Sequence, residues 1–155
     1  MFRETERKFL VFGEDYKALA YSSDRIKQGY LCRGNGVTVR ARVRGEKGYI
    51  TIKGPVEGIS RFEWEKEIPA EEASMLMDLS KSGFIDKIRH LVRAADGHVW
   101  EVDEFLGDNE GLVIAEIELE SEDEPFDVPE WVGEEVTGNP HYYNSMLLRN
   151  PYKNW

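Results

Sequence analysis

Charged side chains recur at every second residue through much of this sequence, and that alternation constrains the fold more than any other feature. Glu4, Glu6 and Lys8 share one parity; Arg40, Arg42 and Arg44 alternate with Val39, Ala41 and Val43. Further on, Arg61, Glu63, Glu65 and Glu67 alternate with Phe62 and Trp64, and Glu116, Glu118 and Glu120 with Ala115, Ile117 and Leu119. Period two marks strands, because successive side chains of a strand point to opposite faces. Like charges two residues apart on one face stand roughly 7 Å from each other and repel by about half a kcal/mol at high dielectric, more if enclosed. Arg gathered on one strand and Glu on three others therefore call for a counter-charge.

Two arrangements satisfy the alternation. In one, the charged faces are wet and the apolar faces form the core, which is the rule for antiparallel sheets. In the other, the charged faces line a water-filled barrel, and helices and a partner subunit cover the apolar faces. A bound polyanion would then balance the basic side chains and a divalent metal the carboxylates. Together they describe a metal–polyphosphate complex, since Mg²⁺ prefers carboxylate oxygens plus substrate phosphates.

The punctuation agrees with hairpin-length connections. Gly34-Asn35-Gly36 is a turn signal, because Asn-Gly tolerates positive φ; Gly45–Gly48, Gly54-Pro55 with Gly58, and Ala95-Asp96-Gly97 repeat the signal. Strands are expected at 25–33, 84–94, 99–105 and 112–121 besides those above. Short helices are expected near 15–21, from Pro69 through Met75, Leu76 and Leu79, and from Pro140 to about Leu148 with Met146 and Leu147 buried. The sum is about eight strands, an antiparallel α+β arrangement and the number that closes into a small barrel with room for one small ligand.

Composition narrows the function. The 155 residues make one domain's worth of chain, here taken as a single domain over 1–155. Thirty acidic against twenty basic side chains leave a net charge of −10, which argues against nucleic acid or an anionic membrane as partner without excluding a local basic site. The single Cys32 excludes an internal disulfide or a cysteine-rich zinc site and reads as a small hydrophobe. The sequence shows neither a membrane-spanning apolar run nor a signal-peptide pattern, so a soluble cytoplasmic protein is expected. Apolar outer faces would suit a homodimer, with the stoichiometry left open.

Glu4-Thr5-Glu6-Arg7-Lys8 resembles the ExExK signature of the CYTH superfamily, the triphosphate tunnel metalloenzymes. Gln28-Gly29-Tyr30-Leu31, Val39-Arg40-Ala41-Arg42, Thr51-Ile52-Lys53, Arg61-Phe62-Glu63-Trp64-Glu65, Lys87-Ile88-Arg89, Glu101-Val102-Asp103, Ala115-Glu116-Ile117-Glu118, Gly133-Glu134-Glu135-Val136-Thr137 and Tyr142-Tyr143-Asn144 follow in the family's order. ExExK alone is a weak signal; the ordered set is specific and resembles a short bacterial-type member.

The resemblance implies an eight-stranded antiparallel tunnel, with a few short helices outside and a C-terminal helix near one mouth. It implies hydrolysis or cyclisation of a triphosphate compound with Mg²⁺ or Mn²⁺. By the same likeness Lys8, Arg40, Arg42, Lys53, Lys87 and Arg89 hold the triphosphate. Glu4, Glu6 and Glu118 ligate the metal, with Glu63, Glu65, Asp103, Glu116 and Glu120 completing the acidic patch. Tyr30 assists attack on the terminal phosphate, beside Lys8 and Glu6 in the catalytic set. Where some bacterial relatives carry a basic residue, this chain has Tyr143, which bears on what fits at the plugged mouth.

Inorganic triphosphate is the favoured substrate, because a mostly charged lumen suits a bare polyanion. Adenylate cyclase, nucleoside or thiamine triphosphatase, and a non-catalytic polyphosphate-binding module are the alternatives. Trp64 and Trp100, which could stack on a base, have the parity of core residues. His90, His98 and His141 read as surface or structural groups, and Glu122-Asp123-Glu124 and Glu134-Glu135 as solvated loops.

Overall fold

Eight alternating segments close on one another in the computed structural model, which describes residues 2–155. The elements are β1 (Arg3–Val11), α1 (Asp15–Leu19), β2 (Ser22–Gly34), β3 (Val37–Arg44), β4 (Lys47–Glu57), β5 (Ser60–Ile68), α2 (Ala70–Met77), β6 (Ile85–Arg93), β7 (Val99–Phe105), β8 (Val113–Glu118), β9 (Val132–Glu135) and α3 (Asn144–Leu147). The order is β5-β4-β3-β2-β6-β7-β8-β1, and β5 pairs back onto β1 through Glu4 opposite Arg61, so β1 to β8 form a closed antiparallel barrel. Closure leaves β2 directly across the barrel from β1.

A ninth strand departs from the sequence expectation. Beyond Thr5, β1 runs past the start of β5, and β9 pairs there, with Phe9 opposite Glu135 and Val11 opposite Val132. Four residues without clean alternation carried no strand signal of their own. The Gly54-Pro55 signal also differs: β4 runs through it, with a register shift between Lys53 and Val56. A bulge of that kind is where a strand accommodates Pro. The Asn35-Gly36 turn is as expected, with φ of 54° and 79° at its two central residues.

Most of the apolar core lies outside the barrel. Phe9, Trp100, Val102, Ala115 and Ile117 have the parity opposite to the charges, and Tyr16 of α1 joins Leu119, Phe126 and Trp131 in covering them. On the far side α2 lies against β3 and β4 through Ala73. Its approach requires Gly48, whose added Cβ would meet the Ala73 Cβ at 2.7 Å. The helix ends at Met77, short of the expected Leu79, and Met75 and Leu79 are 64% and 61% exposed. Cys32 is exposed as well, and Trp64 is only half-buried while Trp100 is fully buried.

A smaller cluster sits inside one end of the barrel. Ile85, Phe105 and Ile114 take the lumen parity and close around Leu112 and Leu147 of α3. The C-terminal helix is a single turn preceded by a 3-10 turn over Pro140–Tyr142, shorter than the expected span. No helix among the described residues is long and apolar enough to cross a membrane.

Candidate active site

Inside the barrel the two signs of charge occupy opposite walls. Arg40 and Arg42 on β3 and Lys87 and Arg89 on β6 flank β2. Glu4 and Glu6 on β1, Glu63 and Glu65 on β5, and Glu116 and Glu118 on β8 face them across a cavity of about 240 Å³. Lys8 and Lys53 enter the acidic side as its counter-ions. The Lys53 Nζ stands 2.8 Å from Glu4 Oε1 and 3.3 Å from Glu63, and the Lys8 Nζ 3.7 Å from Glu116. Tyr30 lines the same space from β2, and Tyr143 caps Lys8 with its ring centroid 5.5 Å from the Nζ.

The basic groups differ in how far they are neutralised. Arg89 makes a two-point bond to Asp103, at 2.8 and 3.0 Å, and a third contact to Glu101 at 3.0 Å. Lys87 lies 2.7 Å from the same Asp103. Asp103 is fully buried and engaged by these two cations, close enough to Glu116 to act on its charge, and it does not itself line the cavity. The two cations next to it hold its carboxyl far below the usual carboxylate range against the opposing effect of burial. Burial pushes the Lys87 ammonium down to about 7. Arg42 has no carboxylate within ion-pair distance among the described residues; its Nε donates to the neutral Gln28 amide at 2.8 Å. Arg40 bonds the Thr51 hydroxyl at 3.2 Å and lies 3.6 Å from Glu65, its own Nε unpartnered.

The acidic wall carries more carboxylates than its lysines can balance. Burial, reinforced by Glu116 and Glu4, raises Glu6 well above the ordinary range. Burial and a hydrogen bond shared with Glu4 lift Glu63 to about 7. Burial together with Glu101, Glu4 and Glu63 lifts Glu118 to about 7. Glu116 goes the other way, to about 2, because Lys8 and a bond from Glu6 outweigh its burial. Glu4 also falls, through Lys53, despite burial. Carboxylates that hold protons near neutrality signal a missing positive charge.

The sequence profile of the CYTH domain matches residues 3–146. The chain belongs to the CYTH family. Similar proteins include an inorganic triphosphatase of Acetivibrio thermocellus, 50% identical over all of this chain and 99% of that protein. An inorganic triphosphatase of Nitrosomonas europaea is 33% identical over 93% of this chain and 95% of its own. The crystal structure of an inorganic triphosphatase superposes with a TM-score of 0.64 at 32% identity, covering 94% of this chain and 97% of that one.

CYTH membership implies a divalent cation, and the acidic wall fits one. Its donors are hard carboxylate oxygens, the kind that Mg²⁺ and Mn²⁺ prefer. Glu6 has no ion-pair partner among the described residues, and Glu4 shares a hydrogen bond with Glu63 as Glu6 does with Glu116. No three such side chains among the described residues already converge in cation-holding geometry; the carboxyls are paired with each other instead.

Of the residues singled out in the sequence, Glu4, Glu6, Lys8, Tyr30, Arg40, Arg42, Lys53, Glu63, Glu65, Lys87, Arg89, Glu116 and Glu118 line one cavity. Glu120 does not line it. Sequence reasoning gave no role to Gln28, Thr51, Glu101 or Asn144. Lumen parity with Tyr30 was a signal for Gln28, but an uncharged residue adds nothing to a charge pattern. His98 is structural: it bridges Asp96 and Glu124, and so holds the covering segment to the β6–β7 turn. Glu124 is thus more than a solvated loop residue.

Proposed function

We propose that this CYTH protein hydrolyses inorganic triphosphate to diphosphate and phosphate in a reaction dependent on Mg²⁺ or Mn²⁺. The observation that carries the reading is the facing of a basic and an acidic wall across one cavity closed at one end by α3. A simple anion-binding site gains nothing from glutamates aimed at its ligand, which weighs against a non-catalytic polyphosphate module. The cavity, about 240 Å³, is smaller than the roughly 300–1,000 Å³ that accepts drug-sized ligands. That size favours a bare polyanion over a nucleotide, and Trp64 and Trp100 lie off the cavity rather than in position to stack on a base. The full-length likeness to the Acetivibrio inorganic triphosphatase supports the same substrate.

In this mechanism Arg40 and Arg42 hold the phosphate chain with guanidinium forks, each able to take two oxygens. Lys8, Lys53, Lys87 and Arg89 add charge that offsets what builds on the leaving diphosphate. Asp103 braces Lys87 and Arg89 from behind. Glu4, Glu6 and Glu118 are the residues that would hold the cation, with Glu63, Glu65 and Glu116 completing that wall. The cation, when bound, supplies positive charge to the phosphate oxygens. Carboxylates of the acidic wall orient the attacking water, and Tyr30 stands across from them with its hydroxyl near the phosphate path. Phosphate release from inorganic triphosphate, with Mg²⁺ or Mn²⁺ and with a chelator, tests the reading. Release is expected with metal only; tight binding without release under either metal would overturn it. A panel of nucleoside and thiamine triphosphates, followed for cyclic nucleotide as well, is expected to turn over more slowly.

A further inference from the structure

We infer that Gln28 is a positioning residue of the triphosphate grip, one that aims Arg42 and Tyr30 and ties both to the C-terminal segment that closes the tunnel. The inference rests on the triphosphatase reading, yet its test separates the two. Gln28 lies on β2 with its side chain in the lumen and is completely buried. Its Oε1 accepts from Arg42 Nε at 2.8 Å, and its Nε2 donates to the Tyr30 hydroxyl at 2.9 Å and, more loosely, to Asn144 Oδ1 at 3.4 Å. Asn144 Oδ1 also accepts from Lys87 Nζ at 2.9 Å.

The direction of this chain is dictated by its ends. Arginine and lysine can only donate. Arg42 thus requires the oxygen of the Gln28 amide, and Lys87 the oxygen of the Asn144 amide. That leaves the Gln28 NH₂ to face Asn144 Oδ1 and the Tyr30 oxygen. Only a neutral amide satisfies both ends. A hydrocarbon would leave the buried Arg42 Nε without a partner, and a carboxylate would have nothing to donate toward Asn144.

Neutrality also explains why this position holds an amide while Arg89 is braced by Asp103 and Glu101. A carboxylate fixes a guanidinium but cancels its charge. An amide fixes the Nε edge and leaves the full charge for an anion. Arg42 then presents an oriented and uncompensated cation to the cavity, and closure by the segment carrying Asn144 reaches Arg42 and Tyr30 through one side chain.

The test is equilibrium binding of inorganic triphosphate in the presence of chelator, so that no metal or turnover enters the readout. Wild type, Arg42→Ala, Gln28→Leu, Gln28→Glu and the double variant Arg42→Ala with Gln28→Glu are compared, with thermal melts as the check on folding. Arg42→Ala is expected to weaken binding at least tenfold, which checks the grip itself. Gln28→Leu should weaken it about tenfold, and Gln28→Glu more than Gln28→Leu, although Glu keeps the shape of Gln better. A carboxylate at 28 also repels the anion directly, so the role of Gln28 is read from the cycle with Arg42→Ala and not from this order alone. In the Arg42→Ala background, Gln28→Glu should weaken binding markedly less than it does in the wild-type background, the remainder being direct repulsion of the anion and the lost bonds to Tyr30 and Asn144. If Gln28→Leu is too unstable to assay, the Gln28→Glu cycle with Arg42→Ala decides alone. Binding within twofold of wild type for the Gln28 variants, or full additivity with Arg42→Ala, overturns the role of Gln28 while leaving the grip intact. No effect of Arg42→Ala overturns the grip and, with it, this role.

Discussion

Glu6 is buried beside Glu4 and Glu116 and holds its proton well above the ordinary range, although Lys53 and Lys8 pull the other way. Glu6→Gln therefore resembles the metal-free state. Triphosphate binding under chelator is expected to stay within about twofold, while metal-dependent kcat falls by about 100-fold or more; titration calorimetry and phosphate release read the two. The same carboxyls govern pH dependence. Burial and neighbouring carboxylates push Glu63 and Glu118 from the ordinary 4.5 up to about 7 in the folded chain, so folding takes up protons between those limits and stability falls as pH rises through them. Glu6 and His98, both raised, act in the same direction, and the lowered Asp103 and Glu116 act only below that window. Melting under chelator should occur at lower temperature at pH 7 than at pH 5.5, and Mg²⁺ should narrow the gap; a melting temperature that rises over this interval contradicts the assignment. Residues without charge escaped the sequence reading at this scale. Gln28, Thr51 and Asn144 work by orienting cations, and polarity without charge leaves no mark in an alternation pattern.

Elements were legible where one face differed sharply from the other. β7 has the bounds and β3 the parity that alternation expects, since Arg against Val or Asp against Val admits one register. The misses share a cause: long-range contact overrides local signal. β9 exists because β1 outruns β5, and Pro55 sits inside β4 because a bulge absorbs it. A bulge between Tyr30 and Cys32 likewise shifts the β2–β3 register, and beyond it Arg33 reaches Ser145 O at 2.9 Å. α3 owes its place to Leu147, 1% exposed among Ile85, Phe105, Leu112 and Ile114. Leu147→Ala should cost about 2–4 kcal/mol and lower the melting temperature by roughly 5–15 °C. Because Asn144 on the same turn bonds Lys87, KM for triphosphate should rise with it. Unchanged stability in a melting experiment would show that the helix is not held by that side chain.

At the scale of the molecule, the usual arrangement of a small β protein is inverted. The charged face of the sheet is enclosed and the apolar face is turned outward, where α1, α2 and the 119–132 segment cover much of it. The sequence left this inversion as one of two readings, because parity shows that two faces differ without showing which is inside. What favoured enclosure was the segregation of sign by strand, Arg on β3 and Glu on β1, β5 and β8, which a wet surface does not require. Net charge spoke against nucleic acid and anionic membranes without excluding a local basic site, and the fold gathers Arg40, Arg42, Lys87 and Arg89 on one interior wall. The central claim is that a triphosphate and a divalent cation meet inside that barrel. Anomalous diffraction from crystals grown with Mn²⁺ and triphosphate measures it directly. The account predicts a manganese peak against Glu4, Glu6 and Glu118 with phosphates on Arg40 and Arg42; metal and anion bound on the outer surface, with the lumen holding water alone, would contradict it.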